Sequence, residues 1–569
     1  MVKSKQFARL LCLVLIVSLI SLTAACTQTE TTEPAGTTKA PDGTTTTGTT
    51  QPTEKEPVTL TIFLDAPDRY NGEWEWGDDP VSAHITELTG ISLDYDYATT
   101  DGGEQLSTML ASGQGLPDLI HTGSESRANM IISQGFAMSL NKLADEYNPE
   151  FYQVCPEDFI LIFQDENGDI YAPPQGFFGN VTPEDDIKAP MTVAGINVNM
   201  PIYEKLGEPA MDTWDQVYDV LLAAKDEGLT FPLYMDEKYI KGVANSPTNA
   251  VQMITKCFGG PSTIWPQSDD SVLVNVRADE YREAIKYLNR CYRADLLNPE
   301  NFTISTDEVY FDIAEGGMIF MHLGHGWNIY RATKVGQTAD AIYWPVEFPA
   351  GPGVNSDDIK FKDYDASTVS SYAGMFVTKD TEYPDRCIDY ITFLLSDEGQ
   401  MLQREGLEGI SYNMVDGLMV YTEERVRLEQ EDPNAPALVQ GLRHPAIALS
   451  VMSRVNAMFR YIRGESQPTY GLWCEIQRGH TANERIYSLT ESLRDEDDIV
   501  LRTKVLDVWA EAQPLMILAE SEEECVAAYD KCIKDMEQAG LKNLETIYSE
   551  RYKMWKDRGI TLPEGKYYP

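Results

Sequence analysis

Residues 58–121 read VTLTIFLDAPDRYNGEWEWGDDPVSAHITELTGISLDYDYATTDGGEQLSTMLASGQGLPDLIH. Val58, Leu60, Ile62 and Leu64 alternate with Thr59, Thr61 and Phe63, the two-residue period of a strand. Asp79 followed by Pro80 is an N-cap with proline in the first turn. It opens a short amphipathic helix on Val81, Ile85 and Leu88, which Gly90 stops. ISLDYDY alternates again, a second helix is predicted near Glu104 to Ser112, and LPDLIH (Leu116 to His121) reads as a third strand. Strand and helix in alternation predict an α/β protein with a parallel sheet, in which ligand chemistry gathers at the C-terminal ends of strands. Asp65, Asp68 and Ser124 fall in such places.

Upstream, the chain begins with a basic start (Lys3, Lys5, Arg9), an apolar run from Leu10 to Leu22 and a small-residue exit at Ala24 and Ala25. This pattern is an export signal, too short to serve as a spanning helix. Cys26 follows at once, so the junction resembles a bacterial lipoprotein signal, in which the cysteine is diacylated and becomes the new N-terminus. The resemblance departs at Thr23, where such signals usually carry Leu. Thr23 and Ala25 also fit an ordinary secretion exit, and both readings stay open. Residues 27–57 hold thirteen Thr and four Pro, with no aromatic or branched aliphatic side chain before Val58. Nothing there offsets the entropy of ordering, so the segment is read as a tether of about 30 Å root-mean-square span.

The remaining residues, 58–569, exceed what one hydrophobic core serves and suggest two or three. Hydrophobic side chains make up 43% of the chain, which is globular composition, and the net charge is -45. Such a chain repels a phosphate backbone, and no Lys/Arg-rich run overcomes that, so nucleic acid is excluded as a partner, as is charge-driven attachment to anionic lipid. Seven cysteines lie beyond Cys26, an odd and scattered set with no disulfide framework. Cys525 and Cys532 stand two turns apart on one predicted helix, about 10 Å, too far to bridge.

Farther along, TWDQVYDVLLAAKDEG places Trp214, Val217, Leu221 and Ala224 on one helical face, with the Thr213 hydroxyl as cap. EYREAIKYLNRCYRADLL repeats the pattern with Tyr281, Ala284, Ile285, Leu288 and Tyr292. Ser521 with Glu524 forms a capping box ahead of Val526, Tyr529, Ile533 and Met536; Gly540 ends that helix, and Leu544, Ile547, Tyr548, Tyr552 and Trp555 mark a last one.

Five stretches in this order resemble the extracellular solute-binding proteins of ABC importers, the maltose-binding-like family 1, and among them the large LplA-like lipoproteins. GINVNMPIYEKLGEPAMDTWDQVYDVL is similar to the family's crossing strand and Thr-Trp-Asp/Glu helix start, and EAIKYLNRCYRADLLNPENF to its Tyr-Leu and Leu-Leu-x-Pro-Glu stretch. DIAEGGMIFMHLGHGW resembles the segment where a Gly-rich turn enters a buried Met-rich strand and ends in a Trp-bearing loop. YAGMFVTKDTEYPDRCIDYITFLLSDEGQMLQREGLEG resembles the helix with an Asp-Glu-Gly stop and its Gly-x-Glu-Gly loop. The tail, WAEAQPLMIL through AAYDKCIKDMEQAGLKNLETIYSERYKMW, resembles the LplA-like ending. The resemblance implies a periplasmic-binding-protein-like α/β fold: two lobes, a hinge, an interlobe ligand cleft and a C-terminal helical extension. The expected divisions are a signal peptide at 1–25, the tether at 26–57, lobe 1 at 58–195 and 328–375, lobe 2 at 196–327 and 376–500, and C-terminal helices at 501–569.

The resemblance further implies a binding protein rather than an enzyme, anchored through Cys26 on the outer face of a Gram-positive type membrane. It would act as a monomer and deliver a solute to the transmembrane subunits of a permease. A carbohydrate suits such a cleft, because aromatic rings stack on sugar faces while Asp, Asn and Arg take hydroxyls. The aromatic candidates are Trp74 and Trp76 in the polar loop DRYNGEWEWGDDP, Trp265 after a Phe-Gly-Gly loop, Trp327 in LGHGWN, Tyr412 and Trp473. The polar candidates are Asp65, Ser124 and His325. Packing is the rival reading for each aromatic, and loop-backbone bonding the rival for Asp65; Trp344 before Pro345 reads as structural.

No cofactor or metal is assigned. His322 and His325 form H-x-x-H, but with Gly324 and Gly326 between and after them they read as loop histidines. Asp165-Glu166-Asn167-Gly168-Asp169 has D-x-N-x-D spacing, but lacks a twelfth-position Glu and reads as a hairpin turn. AAKDEGLTFPLYMDE stands where many LplA-like relatives carry a calcium loop and lacks its alternating acidic ligands. The chain has no H-E-x-x-H, G-x-S-x-G, P-loop or Rossmann fingerprint. A peptide or other polar solute, a surface glycosidase with two carboxylates, and an adhesin or signalling co-receptor on the same fold are the alternative readings.

Overall fold

Eight strands in two sheets carry the architecture: β1 (Val58–Asp65), β2 (Ile91–Tyr97), β3 (Leu119–Thr122), β4 (Ala194–Asn199), β5 (Leu233–Met235), β6 (Met321–His325), β7 (Tyr343–Pro345) and β8 (Gly374–Val377). The structure, a computed structural model, describes residues 55–65, 75–98, 103–165, 167–173, 194–235, 250–302, 319–325, 342–362, 374–415, 418–431, 435–442, 472, 476–477, 479–482, 484–493 and 495–561. The signal and tether calls, 1–25 and 26–57, lie almost wholly outside them.

The first sheet has the order β8-β3-β1-β2, with β1 parallel to both β2 and β3 and β8 antiparallel to β3. Its inner strands are apolar on both faces, as a sheet covered on both sides requires. Leu60, Ile62 and Leu64 join the main core, while Phe63, Ile120 and Phe376 meet Leu106, Leu110, Ala128 and Ile131 on the other face. The helices α1 (Pro80–Thr89), α2 (Gly103–Ser112) and α3 (Glu125–Ser133) follow the three strands in turn. Asp79 caps α1 by accepting from the amides of Val81 and Ser82, both at 2.9 Å, and Gly90 ends it at φ +67°. Leu88, expected inward, is 45% exposed.

The second sheet has the order β5-β6-β4-β7, with β4 antiparallel to β6 and β7. Thr213 and Gln216 make a complete capping box at the start of Trp214–Asp226, whose buried residues are Trp214, Val217, Val220, Leu221 and Ala224. The helix Asp279–Arg293 buries Tyr281, Ala284, Ile285 and Leu288 as expected, and adds Tyr287, Asn289 and Cys291. It is covered from several sides, by Ala250–Cys257, Glu496–Ile517 and Glu522–Ala539.

Two strands in the second half of the chain join sheets other than those the expected divisions suggest. Tyr343–Pro345, expected in lobe 1, hydrogen-bonds to β4 in the second sheet. Val377, expected in lobe 2, closes β8 in the first sheet, and the helix Pro384–Leu395 packs on α1 and on Leu140–Tyr147. The cause is pairing across more than a hundred residues, which no local pattern carries. His322 and His325 lie in strand β6 rather than in a loop, and His322 is fully buried.

The C-terminal helices are Glu496–Ile517, Glu522–Ala539 and Leu541–Asp557. Ser521 caps the second by accepting from Glu524 N at 3.1 Å, but the Glu524 carboxylate turns to Glu520 N instead of closing the box on Ser521. Its buried stripe is Cys525, Tyr529, Cys532 and Met536, not the Val526 and Ile533 expected. Thiols here act as small apolar side chains. Glu545 ties the last helix to the hairpin Ile264–Pro266/Val272–Val274, accepting from Val274 N at 3.1 Å and from Arg277 Nε at 2.6 Å.

Candidate functional site

At the C-terminal edge of the first sheet Asp65 and Thr122, the last residues of β1 and β3, stand in register and so share a face with Phe63 and Ile120. Asp65 is 3% exposed and Thr122 fully buried. Thr122 Oγ1 donates to Asp65 Oδ2 at 2.6 Å, and Arg127 Nε donates to the same oxygen. A buried carboxylate needs such charge-assisted partners. Arg127 comes from the first turn of α3, where Ser124 is the cap, accepting from Arg127 N at 3.5 Å while its own amide donates to Thr122 Oγ1 at 3.1 Å. The Arg127 Nη1 lies over Gly103, the first residue of α2, where a Cβ would come within 3.1 Å of it. Two strand C-termini and two helix N-termini thus converge, the arrangement in which α/β sheets gather ligand-binding groups.

Asp65 and Ser124 are brought together here, and Arg127 is the member that the sequence reading missed. Its signal was the third position after the cap in HTGSESR, a helix residue that reaches back over the strand it follows.

The other candidates fall elsewhere. Trp76 donates from Nε1 to Thr86 Oγ1 at 2.8 Å and meets the Tyr390 ring edge-on at 6.3 Å, so its indole anchors α1 to Pro384–Leu395 and is not part of the corner. Trp265 sits half-buried on the hairpin held by Leu541–Asp557, packed on the main core. Tyr412 pairs with Tyr421 across a separate hairpin and packs there with Met401 and Met419. Burial, with Glu408 and Glu405 nearby, raises its phenol above the ordinary range. His325 ends β6, opposite Ala194 at the start of β4. Trp74, Trp327 and Trp473 lie outside the described residues.

The D-x-N-x-D segment closes on itself. Asp165 accepts from the amides of Asn167 and Asp169 at 2.8 and 2.9 Å, and Gly168 takes φ +84°. Burial pushes the Asp165 carboxyl up, but the amides of Asp169 and Asn167, the Asn167 side chain and the Tyr171 hydroxyl outweigh it and hold it below the ordinary range. Lys142 Nζ and Ser139 Oγ occupy the Asp169 carboxylate at 2.6 and 2.8 Å. Where relatives were expected to carry a calcium loop, Gly228 at φ +105° leads from the end of Trp214–Asp226 to β5 within a few residues. Among the described residues no three His, Cys, Asp or Glu side chains group as metal ligands.

Comparison with known proteins agrees with this architecture. The sequence profile described as bacterial extracellular solute-binding protein matches residues 78–401. No curated protein matches the chain significantly. A solute-binding protein from Bifidobacterium longum infantis, titled as HMO-binding and ABC-transporter-associated, is similar at a TM-score of 0.64 and 17% identity, over 88% of this chain and 99% of that one. FusA of S. pneumoniae, an ABC-transporter substrate-binding protein solved with kestose, gives 0.64 and 14%, over 88% and 100%. The N-glycan transport solute-binding protein NgtS of Streptococcus pneumoniae gives 0.54 and 13%, over 89% and 100%. At such identities the likeness speaks to the fold, which is the periplasmic-binding-protein-like arrangement of α/β lobes with C-terminal helices. With more than half of its length inside the family profile, the chain belongs to the bacterial extracellular solute-binding proteins.

Proposed function

We propose that this protein captures a saccharide outside the cell and delivers it to the transmembrane subunits of an ABC importer, held at the membrane by lipid on Cys26. The observation that carries the reading is the corner at Asp65, Thr122, Ser124 and Arg127, a polar cluster at the C-terminal edge of a parallel sheet in a solute-binding fold. The structural neighbours, described as HMO-binding, solved with kestose and transporting N-glycan, favour a carbohydrate over a peptide. Closure of the two lobes on ligand supplies the signal to the permease, since only a solute that binds the closed state better shifts the balance toward it. Trp327 and Trp265 remain the proposed sugar-stacking side chains.

Incubation of the purified protein with an oligosaccharide library, followed by recovery of the sugars, tests the reading. Retention of an intact sugar is the expected result; released cleavage products would make the protein a glycosidase. The anchor is tested by the intact mass of the protein purified from its membrane. A diacylated Cys26 at the N-terminus is expected, and an unmodified Cys26 overturns anchoring while leaving export in place.

A further inference from the structure

We infer that Arg127 is a ligand-contacting residue that selects an uncharged, hydroxyl-bearing group over a carboxylate, with Asp65 as its positioning residue. The inference rests on the saccharide reading above and narrows it.

Arg127 uses only Nε in its ion pair with Asp65; Nη1 and Nη2 make no hydrogen bond with any described residue, and the side chain is 25% exposed. Its planar fork is therefore aimed by one edge and free along the other, the state in which a guanidinium takes two oxygens at once. The side chain of Asp65 is fully buried, and among the described residues its Oδ1 has no hydrogen-bond partner. Buried polar atoms without partners are uncommon and call for an explanation, of which a ligand site is one. Donors and an unsatisfied acceptor side by side are the complement of hydroxyl groups, which both accept and donate.

Charge decides against a carboxylate. Asp65 neutralises Arg127; α2 and α3 carry no further Lys or Arg, and Glu104 adds a negative charge to the first turn of α2. Among the described residues an anion entering the corner would meet no net positive charge, in a chain of net charge -45. An uncharged diol forfeits no such attraction.

The test uses the purified chain on an array of neutral fructo-, manno- and galacto-oligosaccharides and of uronate oligosaccharides, with calorimetry on the strongest binder. Wild type is expected to take a neutral sugar and to leave the uronates. Arg127→Met should weaken that binding about 10- to 100-fold, the worth of hydrogen bonds to a charged group, without a matching fall in thermal midpoint. Arg127→Lys should recover part of the loss. Asp65→Asn, if it folds, leaves the guanidinium charge unbalanced and should shift preference toward uronates; the Arg127 variants carry the test if it does not. A sugar bound equally by wild type and Arg127→Met overturns this inference and leaves the saccharide reading standing. A wild-type preference for uronates overturns the assigned class, and an array with no bound sugar overturns both.

Discussion

A Cβ on Gly399 would sit 2.0 Å from the carbonyl oxygen of Phe393, so the glycine of the Asp-Glu-Gly stop is required by contact rather than by backbone dihedral. Ser396 ends one helix and caps the next, Asp397–Glu405, which folds back so tightly that only hydrogen fits. Gly399→Ala is expected to cost at least about 2 kcal/mol, read as a lower denaturation midpoint. An unchanged midpoint would mean that the turn relaxes freely. The thiols give a second prediction at this scale. Cys155, Cys257, Cys291, Cys387, Cys525 and Cys532 are all buried, and burial pushes Cys257, Cys291, Cys387 and Cys532 up to about 12. Since the thiolate is the reactive form, none of the six should be alkylated by iodoacetamide in the native protein, and all should be in denaturant. Native labelling at any of them, read by mass spectrometry, would contradict this burial. Asp65 was legible as a candidate because a strand end after an alternating run announces itself. Arg127 was not, because its partner lies 62 residues earlier in the chain and only sheet register brings them together.

Elements that carry their own signals were legible; those defined by distant partners were not. The helix Trp214–Asp226 has its cap, its box and its apolar face in fourteen consecutive residues, Thr213 included. The three-residue strands Leu233–Met235 and Tyr343–Pro345 have no period to read and exist because β6 and β4 present hydrogen-bonding edges to them. That is why the sheet membership of the strands after residue 328 was not legible in the sequence. The C-terminal helices are built into the second half of the fold rather than appended to it. Glu545 is 7% exposed and receives Val274 N and the Nε and Nη2 of Arg277, whose Nη1 reaches Glu537 at 3.0 Å. Glu545→Ala leaves a largely buried guanidinium half-paired and is expected to cost about 2–3 kcal/mol. A loss below about 0.5 kcal/mol in denaturant titration would show that the helix is held by its apolar face alone.

At the scale of the molecule, the long acidic chain is built on two four-stranded sheets, with the helical extension braced on a separate hairpin. The corner at Asp65 and Arg127 belongs to the first sheet only. Under the proposed function a solute that drives closure has to touch both lobes, so residues of the second lobe would complete the site. The most direct test of saccharide capture is a thermal-shift screen of the purified protein across a sugar library. A ligand at 100 times its dissociation constant adds about 2.7 kcal/mol to stability. The account predicts a clear rise in midpoint with at least one saccharide, growing with its concentration; a flat response to every saccharide, alongside a rise with a peptide or another solute, would contradict it.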